Sequence, residues 1–298
     1  MKTRKRMKGA KKDWIFDFTV YFICILLLLI TLYPIYFVLI ASVSEPNAVN
    51  LGHVDFYPIG FNLNAYENLL HYEDLWMGYR NTIFYVLLGT FLALAINLPA
   101  GYALSRTDMY GYKFIKVLFI IPMFFGGGLI PAYLNIRNLG LYDTIWAILL
   151  PAAISIYNVI VSRSFFKTSI PGELWEAAQV DGMGSYAYFM KIVLPLSKAI
   201  IAVIALWCAV GHWNSYFSAM IYLRNDELQP LQLIIRSILI ESQTASAMLT
   251  GTAANEAREM AELIKYSVIV VSSLPIMCLY PFVQKHFNKG VMVGSLKG

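Results

Sequence analysis

The chain has 298 residues, of which 58% are hydrophobic and 14% are charged, and its mean hydropathy is +0.60. Soluble domains carry about a quarter charged residues, so this composition excludes a disordered protein and an ordinary soluble enzyme. Three cysteines cannot form a disulfide framework, and Cys24, Cys208 and Cys278 all lie in apolar runs, where we expect small packing side chains. The net charge of +5 is informative through its distribution along the chain.

The apolar runs predict an all-α, polytopic membrane protein with six transmembrane helices. A spanning helix needs about 20 mostly apolar residues. The segments that meet this requirement are 18–43, 80–104, 114–136, 143–166, 197–223 and 264–286. The first follows a basic stretch, but its apolar run is about twice as long as a signal-peptide core and has no small-residue cleavage site. We therefore predict that it is retained.

Two of the predicted spans contain residues that interrupt a helix. Gly126, Gly127, Gly128 and Pro131 fall in the third span, and Pro151 falls in the fourth. A bilayer tolerates such breaks only where protein or a water-filled cavity satisfies the freed backbone groups. These helices are therefore predicted to pack in a bundle or to line a path.

The positions of lysine and arginine predict the orientation. With the N-terminus in the cytoplasm, 17 of the 23 basic residues lie inside and 6 lie outside, whereas 6 acids lie inside and 12 outside. Both termini are then cytoplasmic, which favours six spans over five or seven. The chain divides into a basic N-terminus (1–17), a six-span transmembrane domain (18–286) with a long cytoplasmic loop (167–196), and a C-terminal tail (287–298).

The predicted spans lack the residues that would drive transport or catalysis. No Asp or Glu falls in the central part of a span, as an ion-coupled transporter would require. His212 is expected to be a hydrogen-bonded packing residue rather than a proton relay, and Asn97 and Asn214 to be interhelical hydrogen-bond partners. The sequence has no P-loop, H-E-x-x-H, C-x-x-C or G-x-S-x-G motif. Energy for uphill transport would therefore come from a partner.

The loop 167–196 is predicted to form a compact docking element from two short helices. Pro171 and Gly172 start a helix over 173–180, and Gly182 and Gly184 end it. A second amphipathic stretch covers 186–194, before Pro195 turns the chain into the fifth span.

The first of these helices has one face suited to a protein partner. By spacing, this face holds Leu174, Ala177, Ala178 and Asp181. We expect the alanines to be exposed, where they would let a partner approach closely. Glu176 would accept a hydrogen bond from a basic residue of that partner.

The same loop carries a motif that resembles a known family. The pattern E-A-A-x3-G-x9-I-x-L-P of ABC importer permeases matches Glu176, Ala177, Ala178, Gly182, Ile192, Leu194 and Pro195, and Asp181 also fits. Over nearly its whole length the chain is similar to the maltose-type (type I) permeases of the carbohydrate-uptake class. The subgroup linked to oligosaccharides of complex polysaccharides is indicated by GGGLIP (126–131), NLGLYDT (138–144), WNSYFSAMIY (213–222) and PLQLIIRSILI (230–240).

The resemblance implies a multi-pass protein of the bacterial plasma membrane that works in a complex. A second homologous permease, usually a different chain, would complete the pathway, and two P-loop ATPase subunits would bind ATP and Mg²⁺. An extracytoplasmic solute-binding protein would deliver an oligosaccharide. No catalytic residue, metal or cofactor is expected on this chain, and no nucleic-acid partner.

The resemblance also assigns roles to residues. The motif residues named above would dock the ATPase or hold the second short helix. The tail residues Lys289, Gly290 and Lys297 would be either a second ATPase contact or a basic terminus near anionic lipid.

The substrate path and the external segments are less defined by the sequence. Aromatic rings that could stack on sugars are Tyr133, Tyr157, Trp213 and Tyr216, each of which could equally be a bundle or interface residue. A stripe from Leu231 to Leu239 predicts an amphipathic helix on a membrane or partner surface, followed by a flexible loop over 244–257. An ABC permease for another solute and an ion-coupled secondary transporter are the alternatives.

Overall fold

The computed structural model describes residues 12–248, 261 and 263–278, and every regular element in these ranges is a helix. The all-α prediction is therefore confirmed. The elements are α1 Lys12–Ala41, α2 Pro46–Asn50, α3 Asn64–Leu70, α4 Glu73–Ser105, α5 Tyr112–Phe124, α6 Leu129–Asn138, α7 Trp146–Ala153, α8 Ile156–Ser169, α9 Gly172–Val180, α10 Ser185–Tyr188, a π-helical turn Phe189–Val193, α11 Leu194–Leu196, α12 Lys198–Trp213, α13 Phe217–Tyr222, a 3-10 turn Asp226–Leu228, α14 Leu231–Met248 and α15 Leu263–Cys278.

Three helical stretches among the described residues are long and apolar enough to cross a membrane, namely Phe16–Ala41, Glu73–Ser105 and Trp146–Ser169. Two bent pairs would raise the number to five, and α15 is a shorter apolar helix. The third predicted span is one of these pairs, because α5 and α6 meet at 117° across the glycine run and Gly128 has φ +83°. The fifth span ends as a continuous helix at Trp213, earlier than expected. The count of six stays a prediction.

Contacts divide the described residues into two units. The first unit contains the described residues within 12–69 and 239–271. The apolar side chains of α1 are exposed along most of its length, as expected of a helix that faces lipid or another subunit. The end of α1 and the segment that follows it form a small core of Ile40, Ala48 and Val54.

The second unit, which contains residues 70–238 and 272–278, is built around α4. This helix packs against α7, α8 and α12, and two glycines permit the close approach. A Cβ added at Gly101 would lie 2.5 Å from Cβ of Ser162 on α8, and one added at Gly89 would lie 2.2 Å from Nε2 of His212 on α12. Small residues at such crossings let membrane helices pack backbone to backbone.

A polar residue of α4 supplies hydrogen bonds to the backbone groups that are left without helical partners at the break in the fourth span. Between α7 and α8 the chain is extended and leaves backbone groups without helical partners. The buried Asn97 Nδ2 donates to the carbonyl oxygens of Ala93 (2.6 Å) and Ala153 (2.9 Å), and Asn97 Oδ1 accepts from the N–H of Ser155 at 2.9 Å. The prediction that Asn97 is an interhelical partner is confirmed, and so is the prediction that protein groups satisfy this break.

The stripe at the start of α14 does form a helix, but its partner differs from the expectation. Leu231, Ile234, Ile235 and Ile238 are all buried within the protein. The N–H of Leu231 donates to Thr82 Oγ1 at 2.8 Å, and Ile234 approaches the bare Cα of Gly78. The stripe therefore packs on α4 rather than lying on a membrane surface, because Gly78 leaves room for it. The flexible loop predicted over 244–257 is wrong for residues 244–248, which continue α14, and residues 249–257 lie outside the described residues.

Candidate functional site

The first short helix of the docking loop forms as predicted. Pro171 is extended before the helix, Glu173 supplies an acid in the first turn, and α9 ends at Val180. Gly182 has φ +71°, its N–H donates to the carbonyl of Gln179, and the N–H of Met183 donates to the carbonyl of Ala178 at 2.8 Å. This pair of bonds is a Schellman ending, which requires a left-handed residue at the position that Gly182 occupies.

The exposed surface of this helix is only partly the one expected. Glu176, Ala177 and Asp181 are exposed, and Val180 at the tip is 89% exposed. Ala178 is 3% exposed, so the expectation that both alanines are exposed is wrong for this residue. Its methyl group packs into the core of the loop. The expectation was wrong because helical spacing predicts which residues share a face but not whether that face points to solvent or to the core.

The second short helix is interrupted by a π-helical turn before Pro195. Proline lacks an N–H and clashes with the carbonyl four residues earlier, and the wider turn Phe189–Val193 accommodates it. Ile192 and Leu194 pack against the core that contains Ala178, and Tyr186 of α10 is 78% exposed. The segment Ser185–Leu196 then meets α12 at 82°, close to the turn predicted at Pro195.

The C-terminal end of α4 contacts both short helices, a feature that sequence reasoning missed. The Arg106 guanidinium lies 4.5 Å from the centroid of the Trp175 ring and pairs with Asp108 through two hydrogen bonds of 3.0 and 2.6 Å. These bonds lower the pKa of the Asp108 carboxyl. Tyr102 packs its ring 5.0 Å from that of Phe189. In the sequence Arg106 is one of the basic residues on the predicted cytoplasmic side. No local pattern links it to Trp175, which is 69 residues away in the chain.

A cavity of about 430 Å³ lies between α7, α8 and α12, and Ser218 of α13 completes its lining. Its lining residues are Ile148, Ala152, Ser155, Tyr157, Asn158, Trp207, Cys208, Gly211, His212, Ser215 and Ser218. The Tyr157 and Trp207 rings are 5.4 Å apart and are 55% and 39% exposed. The described residues that line it carry neutral polar groups and one histidine, but no carboxylate, lysine or arginine.

Of the four aromatic candidates for the substrate path, only Tyr157 lines this cavity. Tyr133 stacks on Tyr222 with centroids 6.2 Å apart. Trp213 is 5% exposed and donates from Nε1 to the carbonyl of Ser272 at 3.1 Å. Tyr216 lies under the Arg236 guanidinium, 5.7 Å from its ring centroid. Trp207, which the sequence did not single out as a substrate contact, takes the place beside Tyr157.

The other polar residues singled out by sequence fall in different settings. His212 is 6% exposed, packs against Gly89 and also lines the cavity. Asn214 donates to the carbonyl of Val210 in its own helix, so the prediction of an interhelical partner is wrong there. The helix ends beside Asn214, and its side chain caps that end instead. The tail residues Lys289, Gly290 and Lys297 lie outside the described residues.

A carboxylate joins two connections that follow α6 and α13. Asp143 Oδ1 accepts from the backbone N–H groups of Asn225 (2.9 Å) and Arg224 (2.7 Å), and the Asp143 N–H donates to the carbonyl of Tyr222. These bonds to Asn225 and Arg224 lower the pKa of the Asp143 carboxyl. Asp143 has φ +60°, a conformation that aspartate tolerates better than most residues.

The chain is similar in sequence and in structure to permeases of known transport systems. The YtcP permease of a polygalacturonan/rhamnogalacturonan transport system in Bacillus subtilis is 36% identical over 291 residues, 96% of this chain and all of that protein. The B. subtilis protein LplC is 36% identical over 98% of each chain. A chain from the crystal structure of a bacterial ABC transporter that imports the acidic polysaccharide alginate superposes with a TM-score of 0.84 at 32% identity, covering 95% of this chain and all of its own.

The family model for the inner membrane component of binding-protein-dependent transport systems matches residues 75–293, a range that includes α4, the docking loop and the cavity. The resemblance predicted from the coupling motif is therefore confirmed. The chain is a non-catalytic permease subunit, a multi-pass protein of the bacterial plasma membrane. It belongs to the family of inner membrane components of binding-protein-dependent transport systems.

Proposed function

We propose that this chain forms half of the translocation pathway of an ATP-driven importer of oligosaccharides. The observation that carries the proposal is the cavity with Tyr157 and Trp207 on its wall. Aromatic faces offer apolar surface to the C–H face of a sugar ring, while hydroxyl and amide groups bond to its hydroxyls. The names of the relatives, which include transporters of polygalacturonan, rhamnogalacturonan and alginate, support the same substrate class.

The lining chemistry narrows what this cavity would recognise. Asn158, His212, Ser215 and Ser218 can donate or accept hydrogen bonds with hydroxyl groups. Recognition of a uronate carboxylate would favour Arg or Lys, which the described lining does not contain. We therefore assign hydroxyl recognition to this cavity. Any selection for acidic sugars would fall to the binding protein or the second permease.

The docking loop would connect this path to the ATPase. Glu176 and Asp181 offer carboxylates to basic side chains of a cleft, and Val180 of α9 and Tyr186 of α10 offer exposed apolar surface. Gly182 sets the turn that presents them, and Ile192, Leu194 and Pro195 hold the second helix against the first. ATP and Mg²⁺ would bind to the two ATPase subunits.

The remaining partners complete the assembly. A second homologous permease would form the other half of the path, and an extracytoplasmic binding protein would deliver the sugar. The tail from Lys289 to Lys297 would reach either the ATPase pair or anionic lipid. Six spans with both termini in the cytoplasm fit this arrangement.

Uptake of labelled oligosaccharides by cells that carry Trp207→Ala or Tyr157→Ala tests the cavity. Loss of a stacked aromatic face is worth about 0.5–1.5 kcal/mol, so we expect the KM for uptake to rise by about threefold to tenfold while the protein level stays unchanged. Tyr110→Ala, which removes a fully exposed ring outside the cavity, is the matched control. Unchanged sugar uptake in both cavity variants, or uptake of a non-sugar solute instead, would overturn the assignment.

A further inference from the structure

We propose that Arg106 is a positioning residue that fastens the coupling helix α9 to the cytoplasmic end of α4, so that movement of the docking loop is passed to the helix that supports the cavity. The inference rests on the proposed coupling to an ATPase. It concerns a residue outside the docking motif, and its basis is the set of contacts around one guanidinium group.

The guanidinium is held in a fixed plane by its hydrogen bonds. Nε and Nη2 donate to the two carboxylate oxygens of Asp108, which gives the paired geometry that only arginine provides. Nη1 donates to the Tyr102 hydroxyl at 3.4 Å. The Arg106 side chain is 25% exposed and that of Asp108 is 65% exposed, so the guanidinium is partly shielded from water while the carboxylate is not.

The face of the same group covers Trp175, the residue immediately before Glu176. The distance of 4.5 Å from Cζ to the ring centroid lies within the range of a cation–π contact. The partners are far apart in the chain, because Arg106 follows α4 and Trp175 lies in the middle of α9. The contact therefore ties the helix that carries the docking motif to α4 directly.

The second short helix is joined to the same end of α4. The Trp175 ring meets the Tyr188 ring edge to face at 5.0 Å, and Tyr102 packs 5.0 Å from Phe189. Tyr102 and Arg106 are one helical turn apart. Displacement of either short helix thus acts on the last turn of α4.

From that turn, α4 leads to the cavity wall through contacts already described. Asn97 holds the ends of α7 and α8, where Ser155 lines the cavity, and Gly89 packs against His212 on the opposite wall. A rigid α4 would move these groups together when its end is pulled. Arg106 is the polar link at the start of this series of contacts.

The test measures transport per ATP hydrolysed. Complexes purified from native membrane, with wild-type, Arg106→Gln or Arg106→Lys permease, would be reconstituted with the binding protein and labelled pectin oligosaccharides as the probe. We expect Arg106→Gln to retain the ATPase and its hydrolysis but to lower transport per ATP by about fivefold, the scale of a partly desolvated cation–π contact. Arg106→Lys should recover only part of this ratio, because lysine keeps the charge and loses the planar fork.

A second readout follows the joint itself and needs no substrate. Spin labels at the exposed Thr107 and Gln179, in a chain whose native cysteines are replaced by serine, would report the distance between the end of α4 and α9. We expect one narrow distance distribution in both nucleotide-free and vanadate-trapped wild-type complex. Arg106→Gln should broaden it or make it change with nucleotide, whereas Lys113→Gln, which removes a neighbouring exposed cation, should not.

Three outcomes would overturn the inference. An unchanged transport-to-ATP ratio would do so, and so would loss of the ATPase from the Arg106→Gln complex, which would make Arg106 a docking residue. Absence of the ATPase from the wild-type complex would instead overturn the docking proposal, and the inference with it. If Arg106→Gln does not accumulate, Trp175→Leu removes the other partner, and normal coupling in that variant contradicts the inference.

Discussion

Single residues decide how this bundle tolerates broken helices. Asn97 supplies both a donor and an acceptor to the gap between α7 and α8, where no helical partner is available. Glycines do the complementary work by giving space, as Gly89 does for the His212 ring. A break near Pro151, which the structure has at Ile154 and Ser155, and the polar residue Asn97 could each be predicted from sequence. Their meeting could not, because they lie on different helices.

Asn97→Ala should destabilise the protein. It leaves the Ala153 carbonyl and the Ser155 N–H without their buried partner, at a cost of about 1–3 kcal/mol for each unsatisfied group. The loss of stability is measured by heating the protein in mild detergent and monitoring the fraction that stays in the monodisperse peak of a size-exclusion column. Asn214→Ala is the control, since Asn214 is exposed and bonds only within its own helix end. Equal melting temperatures for the two variants would contradict the role given to Asn97.

Asp143→Asn should weaken the link between the connections after α6 and α13 in a pH-dependent manner. The folded pKa of Asp143 lies below its ordinary value of about 3.9. Its charge therefore stabilises the fold at pH above 3.9, and this stabilisation is lost as the pH falls through the folded pKa. We expect wild type to melt above the variant at pH 7 and the difference to shrink below pH 4.

Asparagine retains one acceptor oxygen, so this substitution removes the charge and leaves the geometry. A difference in melting temperature that stays constant from pH 7 to pH 3 would show that the Asp143 charge is not the source of the stabilisation.

Among the elements, the docking loop shows which features a sequence can predict. The start and end of α9 follow from local signals, namely Pro171, Gly182 and Gly184, and these were placed correctly. The burial of Ala178 could not be predicted in this way, because the core of the loop includes side chains of α4 and α8 as well as side chains of the loop itself. The helix of Leu231 was likewise predicted, but its packing on Gly78 depends on a distant gap that periodicity does not show.

Gly182→Val should disrupt the joint between the two short helices. A left-handed backbone costs a residue with a Cβ roughly 1–2 kcal/mol, and a β-branched side chain more. We expect the protein to insert normally but to lose most sugar uptake, because the tip residues are no longer presented together.

Gly184→Ala is the matched control for this change. Gly184 has φ −75°, and a Cβ there would meet open space. Wild-type uptake is expected for Gly184→Ala, and wild-type uptake in Gly182→Val would mean that the Schellman turn has no part in coupling.

For the whole molecule, the arrangement separates the site that would hold sugar from the site that would receive energy. The cavity lies between α7, α8 and α12, whereas the docking loop follows α8 and precedes α12. The same two helices therefore connect both sites, and α4 packs against each of them. The sequence predicted a permease because the coupling motif is local. The cavity wall was found only in part, because its residues come from four separate helices.

Co-purification tests most directly whether α9 docks an ATPase. The tagged chain would be isolated from its native membrane in mild detergent, as wild type, Glu176→Lys and Glu173→Lys, and its partners quantified by mass spectrometry. Glu173 lies on the same helix, is exposed and stands outside the motif, so its reversal controls for charge alone. We predict that wild type and Glu173→Lys carry a second permease and a P-loop ATPase. Glu176→Lys should keep the second permease but carry about tenfold less ATPase, because it reverses a charge that would be buried in the interface with the ATPase. A wild-type chain that purifies alone, or a Glu176→Lys complex with its full complement of ATPase, would contradict the account.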